Sequence, residues 1–300
     1  MQGAEPSPAP SERARELVRG AYDLHVHVWP DLTTRRIDDL GLARRFAELG
    51  LGGFVLKSHY APTAERAAVV SAAVPGVRVL GSIALNNGVG GPNPLAVEIA
   101  AREGARLVWL PTVDAENEAS EHGPPLAKPP VWRRIQDEFV AAGVAGPPVR
   151  LTEADLARVL EAVARHGLVL ATGHLSPEEI SRVVDAAFAA GVAHVVVTHP
   201  DFPSQSVPID EQRSLAERGA YLERCFTTIH TGKTTWEHTV EAIRATGPER
   251  NVLSTDLGQV ANPPVEDGLA LMADRLLAEG FSEDEVRTMA VENTRMLAGA

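Results

Sequence analysis

Residues 21–30 read AYDLHVHVWP, a short apolar run carrying His25 and His27 with one residue between them. Successive side chains of a β-strand point to opposite faces, so these two imidazoles share a face, about 6.5 Å apart along the backbone. Two such nitrogens can share one ion at the roughly 2.0–2.1 Å that imidazole–zinc bonds require. The run predicts a first strand, Tyr22–Val28, and seven similar runs follow: Gly53–Lys57, Arg78–Leu85, Arg106–Leu110, Leu168–Thr172, His194–Thr198, Tyr221–Phe226 and Asn251–Thr255. Between them apolar residues recur at three- and four-residue spacing, as at Leu156, Val159, Leu160 and Val163, and predict helices over Ile37–Leu49, Pro94–Glu103, Glu153–His166, Pro177–Ala190, Trp236–Ala245 and Val265–Ala278. Thr152 with Asp155, and Ser176-Pro177-Glu178-Glu179, read as helix starts. Strands alternating with helices imply right-handed βαβ units and a parallel sheet. Eight repeats fit a closed barrel better than an open sheet, so the expectation is an α/β protein, a single-domain (β/α)8 TIM barrel.

Residues 1–20 are expected to be an N-terminal extension, partly disordered, and 21–300 the barrel. One connection breaks the short-loop pattern. The stretch from about 111 to 150 carries Pro124, Pro125, Pro129, Pro130, Pro147 and Pro148 around one helical piece near Val131–Ala142. It is either a lid beside the carboxyl end of strand four or a tolerated insertion. A last helix is expected over Glu283–Leu297.

Of the 300 residues, 44% are hydrophobic and 23% charged, which is ordinary for a globular chain. The formal net charge is −12 with no basic run, which argues against nucleic acid or an anionic membrane as partner. Cys225 is the single cysteine, so neither an internal disulfide nor a cysteine zinc site is available. No signal-peptide core or membrane-length apolar stretch is visible, so a cytoplasmic protein acting on a small molecule is expected. A homo-oligomer stays open.

Active sites of parallel barrels lie at the carboxyl ends of the strands. There the chain places His25 and His27 on strand one, Lys57 (followed by His59 and Tyr60) on strand two, His174 in VLATGHLS, His199 in VVVTHPDF, and Asp256 in NVLSTDLG. Neutral imidazoles with a carboxylate are the ligand mix that borderline divalent metals prefer. Asn86 after strand three, His59, and His230 with Lys233 in TTIHTGKTT are candidate substrate contacts. Glu223 within strand seven is a candidate partner for a metal-binding histidine.

The order HxH after strand one, His after strands five and six, and Asp after strand eight resembles the amidohydrolase superfamily over Tyr22 to about Leu297. The ending ENTRMLAG (292–299) is similar to that superfamily's closing helix. The runs VLKSH (55–59), ALNNGVGGPNP (84–94) and VWLPT (108–112) further resemble a bacterial group of amidohydrolase-like proteins of unknown function. The resemblance implies an enzyme that uses one or two divalent ions, zinc or manganese, to cleave an amide, cyclic amide or ester with metal-activated hydroxide. Asp256 would be both metal ligand and catalytic proton acceptor, and His25, His27, His174 and His199 metal ligands. One departure stands out: two-metal members carry a bridging carboxylated lysine or a glutamate at the end of strand four, whereas LVWLPTVDAE (107–116) offers Thr112 and Asp114. Lys57 could supply the bridge as a carbamate, with His25 and His27 on one metal and His174 and His199 on the other. Otherwise Lys57 pairs with Asp256 or meets a substrate anion.

A phosphoesterase is the alternative enzyme, and its cationic clamp would have to come from Lys57, Lys233, Arg35, Arg36 or Arg224. A deaminase fits less well, because Glu178, four residues after His174, is explained by the first turn of its helix. A non-catalytic metal-containing binding protein is the remaining reading. Structural metal sites tend to be closed, however, and this ligand set leaves a mouth.

Overall fold

The computed structural model describes residues 9–119 and 131–300; residues 1–8 of the expected extension and 120–130 of the expected long loop lie outside the described residues. Eight parallel strands form one sheet in sequence order: β1 Tyr22–Val26, β2 Gly53–Leu56, β3 Arg78–Ala84, β4 Ala105–Trp109, β5 Val169–Ala171, β6 His194–Val197, β7 Tyr221–Cys225 and β8 Asn251–Ser254. The barrel closes between β8 and β1, where Asp256 N donates to His25 O and His27 N donates to Leu257 O, each at 2.8 Å. Gly258 belongs to this seam. Its φ is +139°, and a Cβ there would stand 1.7 Å from His27 O, so only glycine allows the two chains to meet.

Helices α1 (Glu12–Leu17), α2 (Asp39–Leu49), α3 (Ala64–Ala73), α4 (Pro94–Arg102), α5 (Glu116–Ala119), α6 (Val131–Ala141), α7 (Glu153–Arg165), α8 (Pro177–Ala189), α9 (Ile209–Glu217), α10 (Phe226–His230), α11 (Trp236–Thr246), α12 (Val265–Ala278), α13 (Glu283–Arg287) and α14 (Asn293–Ala298) connect or flank the strands. The predicted caps form: Thr152 Oγ1 accepts from Asp155 N, and Ser176 with Glu179 makes a reciprocal capping box. The last helix is one run interrupted by a π-turn over Thr288–Glu292, with Leu297 and Ala298 buried among the residues that fill the barrel. Within the expected extension, α1 packs on α12 and α13, with Ala14 fully buried. The long connection carries α5 and α6 rather than one helical piece. No helix of the described residues is long and apolar enough to cross a membrane.

Leu24, Val55, Leu107, Trp109, Val169, Val196 and Val252 fill the lumen, while alternate strand residues pack outward on the helices. The strand period therefore turns Glu223 and Cys225 inward and Arg224 outward. Arg224 Nη1 donates to Asp201 Oδ2 (2.8 Å) and Gln212 Oε1 (2.7 Å), and its Nε to Asn251 Oδ1 (2.7 Å). Burial opposes the charge on Asp201, but Arg224 and the hydrogen bonds from His238 and Gln212 hold its carboxyl well below the usual range. Arg224 is thus excluded as an anion clamp. Asp201→Ala would leave a guanidinium buried and unpaired. It is expected to lower stability by about 3–5 kcal/mol in urea unfolding, and a loss below about 1 kcal/mol would contradict this account.

Candidate metal centre

At the carboxyl ends of the strands five imidazoles form a closed ring. Neighbouring ring centroids lie 5.4 Å (His25–His27), 5.0 Å (His27–His59), 6.2 Å (His59–His174), 4.9 Å (His174–His199) and 5.9 Å (His199–His25) apart. All five residues are buried, as are Lys57 and Asp256. Local backbone explains how they meet. Leu24 belongs to the lumen, yet its chain neighbour His25 joins the ring, which strict alternation forbids; the register irregularity between Asp23 and Val26 supplies the change of phase. His199 and Asp256 have φ of 25° and 51°, in the left-handed region that costs a residue with a side chain about 1–3 kcal/mol. Gly173 (φ +66°) lies so close to Leu110 O and Pro111 O that a Cβ would sit 2.4 Å from each, and it delivers His174 directly after β5.

Protonation follows from the outer partners. His25 Nδ1 donates to Glu223 Oε2 at 3.2 Å. Burial raises Glu223, but His25 beside it brings its carboxyl down to about 2, so it accepts. His199 Nδ1 donates to Gln205 Oε1 at 3.0 Å, and Gln205 Nε2 is oriented by Ser204 Oγ at 3.0 Å. His174 Nδ1 stands 2.9 Å from Glu118 Oε1, close but poorly aligned. Glu118 is opposed by burial and held at about 2 by His174. For His25 and His199 the outer nitrogen keeps the proton and Nε2 keeps its lone pair, as in metal-binding histidines. Burial lowers His27 and His199 to about 3 and depresses His59 and His174, so these rings are neutral.

Asp256 Oδ1 lies 3.2 Å from His25 Nε2 and 3.1 Å from His27 Nε2. With the His25 proton on Nδ1, its Nε2 and the Asp256 oxygen are two acceptors face to face, an arrangement that calls for a cation. Lys57 Nζ, 2.9 Å from His25 Nε2 and 5.0 Å from the Trp109 ring centroid, is the nearby donor. Burial lowers its pKa. The donor atoms of His25, His27 and Asp256 lie within 4.8 Å of one another, as do those of His25, Glu223 and Cys225. The residues present therefore fit a divalent metal, with His25, His27 and Asp256 the tightest set and His174 and His199 across the ring.

The expected substrate contacts separate. His59 belongs to the imidazole ring itself, its Nδ1 2.9 Å from Thr112 Oγ1. Lys233 lines the cavity above the ring, its Nζ 4.3 Å from the Phe202 centroid. Asn86 does not reach the cavity: its amide donates to His59 O (2.9 Å) and Thr112 Oγ1 (2.7 Å) and accepts from Thr112 N (2.8 Å), so it braces β3 against β4. His230 stacks on Phe226, 5.2 Å between centroids, at the exposed end of α10, outside the cavity lining. Strand four adds no ligand from Asp114, which accepts from Asn87 N at 2.8 Å and from Gln136. Glu118 and Gln205 were not foreseen. Glu118 lies in the short α5 and Gln205 in a turn, and only the histidines they hold give them meaning.

The cavity over the ring measures about 470 Å³ and takes part of its wall from Val113, Val131 and Trp132 of the long connection. No curated protein matches the sequence. Among solved structures the chain is similar to an amidohydrolase from Pseudomonas aeruginosa (13% identity, TM-score 0.61, 96% of this chain and 99% of that one). It is also similar to the probable dipeptidase PvdM from Pseudomonas aeruginosa (11%, 0.63, 96% and 97%). A third likeness is to an amidohydrolase from Burkholderia multivorans determined with bound zinc (13%, 0.57, 93% and 99%). At these identities the likeness is one of fold. A profile match over residues 20–223, which takes in every histidine of the ring, is more specific: the chain belongs to the family of unknown function DUF6282.

Proposed function

We propose that this chain is a metal-dependent hydrolase of the amidohydrolase type, cleaving an amide, cyclic amide or ester bond of a small molecule. The supporting observation is the closed ring of five buried imidazoles around Asp256 and Lys57 beneath an open cavity. A divalent ion, zinc or manganese, would be held by His25, His27 and Asp256, with His174 and His199 for a second, and would make water nucleophilic at neutral pH and polarise a carbonyl. The chain's own residues do the rest. Glu223 and Gln205 keep the tautomers of His25 and His199 fixed, and the Glu118 carboxylate stands beside His174. Asp256, ionised beside His25 and His27, takes the proton from the attacking water and returns it to the leaving nitrogen or oxygen. The same reading makes a small molecule the partner, with neither nucleic acid nor membrane, in the cytoplasm. Kinship with the bacterial group that shares VLKSH and ALNNGVGGPNP also belongs to it.

As a carbamate, Lys57 would help to hold a second metal. Burial favours its neutral amine; that amine adds to carbon dioxide, forms an N–C bond and releases a proton, leaving an anionic carbamate with two oxygens. Phosphoester cleavage is disfavoured by a specific loss of cations: Arg224 is buried with Asp201, and Arg36 Nη1 donates to Val260 O (3.0 Å) and Asn262 O (2.9 Å). Elemental analysis of protein produced with ample zinc is expected to find two ions per chain, falling to one in Lys57→Ala. Metal content near zero in the wild type would end the hydrolase reading. Two ions retained in Lys57→Ala would end the carbamate alone.

A further inference from the structure

The cavity differs in charge from the molecule around it. The chain carries −12, yet the cavity lining holds the cations Arg35, Lys57 and Lys233 against one carboxylate, Asp256. With Lys57 down among the imidazoles, Arg35 and Lys233 remain at the mouth. Arg35 is a built element rather than a loose surface charge: its side chain is 8% exposed, its Nε and Nη2 donate to Asp31 Oδ2 at 2.7 and 2.6 Å, and Asp31 is itself 3% exposed. Asp31 Oδ1 also accepts from Thr33 N at 3.4 Å, so one carboxylate shapes the whole turn. No further hydrogen bond of the Arg35 guanidinium forms within the described residues.

Two hydroxyls of the same lining have nothing to bond among the described residues. Thr33 Oγ1 and Tyr60 Oη are both buried, and both residues line this cavity. Burial raises the Tyr60 pKa, so its hydroxyl keeps its proton and is a donor. The Tyr60 ring is held edge-on to His59 (6.1 Å) and Phe139 (6.5 Å), which ties that donor to both the imidazole ring and α6. Unbonded buried donors are costly, and one oxyanion would satisfy both while meeting a guanidinium.

We propose, building on the hydrolase reading above, that the substrate carries a carboxylate bound at the cavity mouth by Arg35 and the hydroxyls of Thr33 and Tyr60. Its body would lie along Trp132 and Phe202, and its scissile carbonyl would face Asp256. A carboxylate fits better than a phosphate because Asp31 already offsets the charge of Arg35. A dianion would meet only the exposed Lys233 as uncompensated charge.

Calorimetric titration of zinc-loaded protein with benzoate, benzamide and phenyl phosphate tests the site without requiring turnover. Benzoate is expected to bind at least tenfold more tightly than benzamide. Loss of one charge-assisted hydrogen bond in Tyr60→Phe or Arg35→Gln is expected to weaken benzoate roughly 10- to 100-fold and leave benzamide unchanged. Tyr60→Phe removes one oxygen and disturbs no ion pair, so it decides the matter should Arg35→Gln misfold around Asp31. Equal affinity for benzoate and benzamide overturns the proposal. So does benzoate binding unaltered by Tyr60→Phe, which would put the carboxylate on the metal, and so does tighter binding of phenyl phosphate. Hydrolysis of monomethyl glutarate against dimethyl glutarate separates the two readings. Faster cleavage of the monoester supports both. Cleavage of neither ester, nor of the corresponding amide and imide, glutaramate and glutarimide, with the benzoate preference and its loss in Tyr60→Phe intact, overturns the hydrolase reading and leaves the anion site standing.

Discussion

Asp256→Asn is expected to bind metal, fold as the wild type does, and lose about 10²- to 10⁴-fold in turnover of any ester, lactone or imide the protein cleaves. The substitution keeps the shape of the side chain and removes its ability to take a proton. Asp256 can be changed without opening the barrel because its structural work is done by its backbone: Asp256 N donates to His25 O at 2.8 Å across the β8–β1 seam. Its carboxylate serves the site, lying 3.2 and 3.1 Å from the two β1 imidazoles. Burial alone would raise its pKa, but His25 and His27 hold it well below the ordinary range, so it stays ionised through neutral pH. Kinetics alongside elemental analysis check the expectation. Near wild-type turnover with metal still bound would move the proton-accepting role elsewhere, with His59 the next group in the ring.

Stripping the metal with a chelator is expected to abolish hydrolysis and to lower the unfolding temperature, with both restored by zinc. A ligand that binds only the folded state stabilises it by about 4.1 kcal/mol at a free concentration a thousandfold above its Kd. The physical source here is local. Without a metal, only Lys57 Nζ, 2.9 Å from His25 Nε2, offsets the approach of that nitrogen to Asp256 Oδ1 at 3.2 Å, and two backbones at His199 and Asp256 are held in left-handed conformations. Scanning calorimetry of chelated and reloaded protein reads the shift. Identical melting and identical turnover after complete metal removal would end the metal-dependent reading.

The barrel was legible because its signals are local and repeated. The eight strands begin and end within two residues of where hydrophobic runs predict them, and the capping of α7 and α8 follows from Thr152 and Ser176. The helices α1, α3 and α9 and the short α5 and α10 were not foreseen; α5 and α10 are too brief to show a period. In the site, the strand-end rule identified the members of the cluster one by one. It could not tell that His59 completes the ring while Asn86 and His230 stand outside it. Those outcomes depend on where a side chain turns after its strand ends, which no periodicity encodes.

The sequence by itself determined which chemistry stands at the carboxyl end of each strand, since alternation of apolar and polar residues decides what leaves the core and where. Only the tertiary structure decided how these groups act together. The phase change after Asp23, the left-handed turns at His199 and Asp256, and the approach of Glu223, Gln205 and Glu118 to three histidines arise from contacts between segments far apart in the chain. Proton location, neutral imidazoles and the unpaired hydroxyls of Thr33 and Tyr60 follow from burial and from those partners, and both are properties of the closed barrel, which no single strand carries.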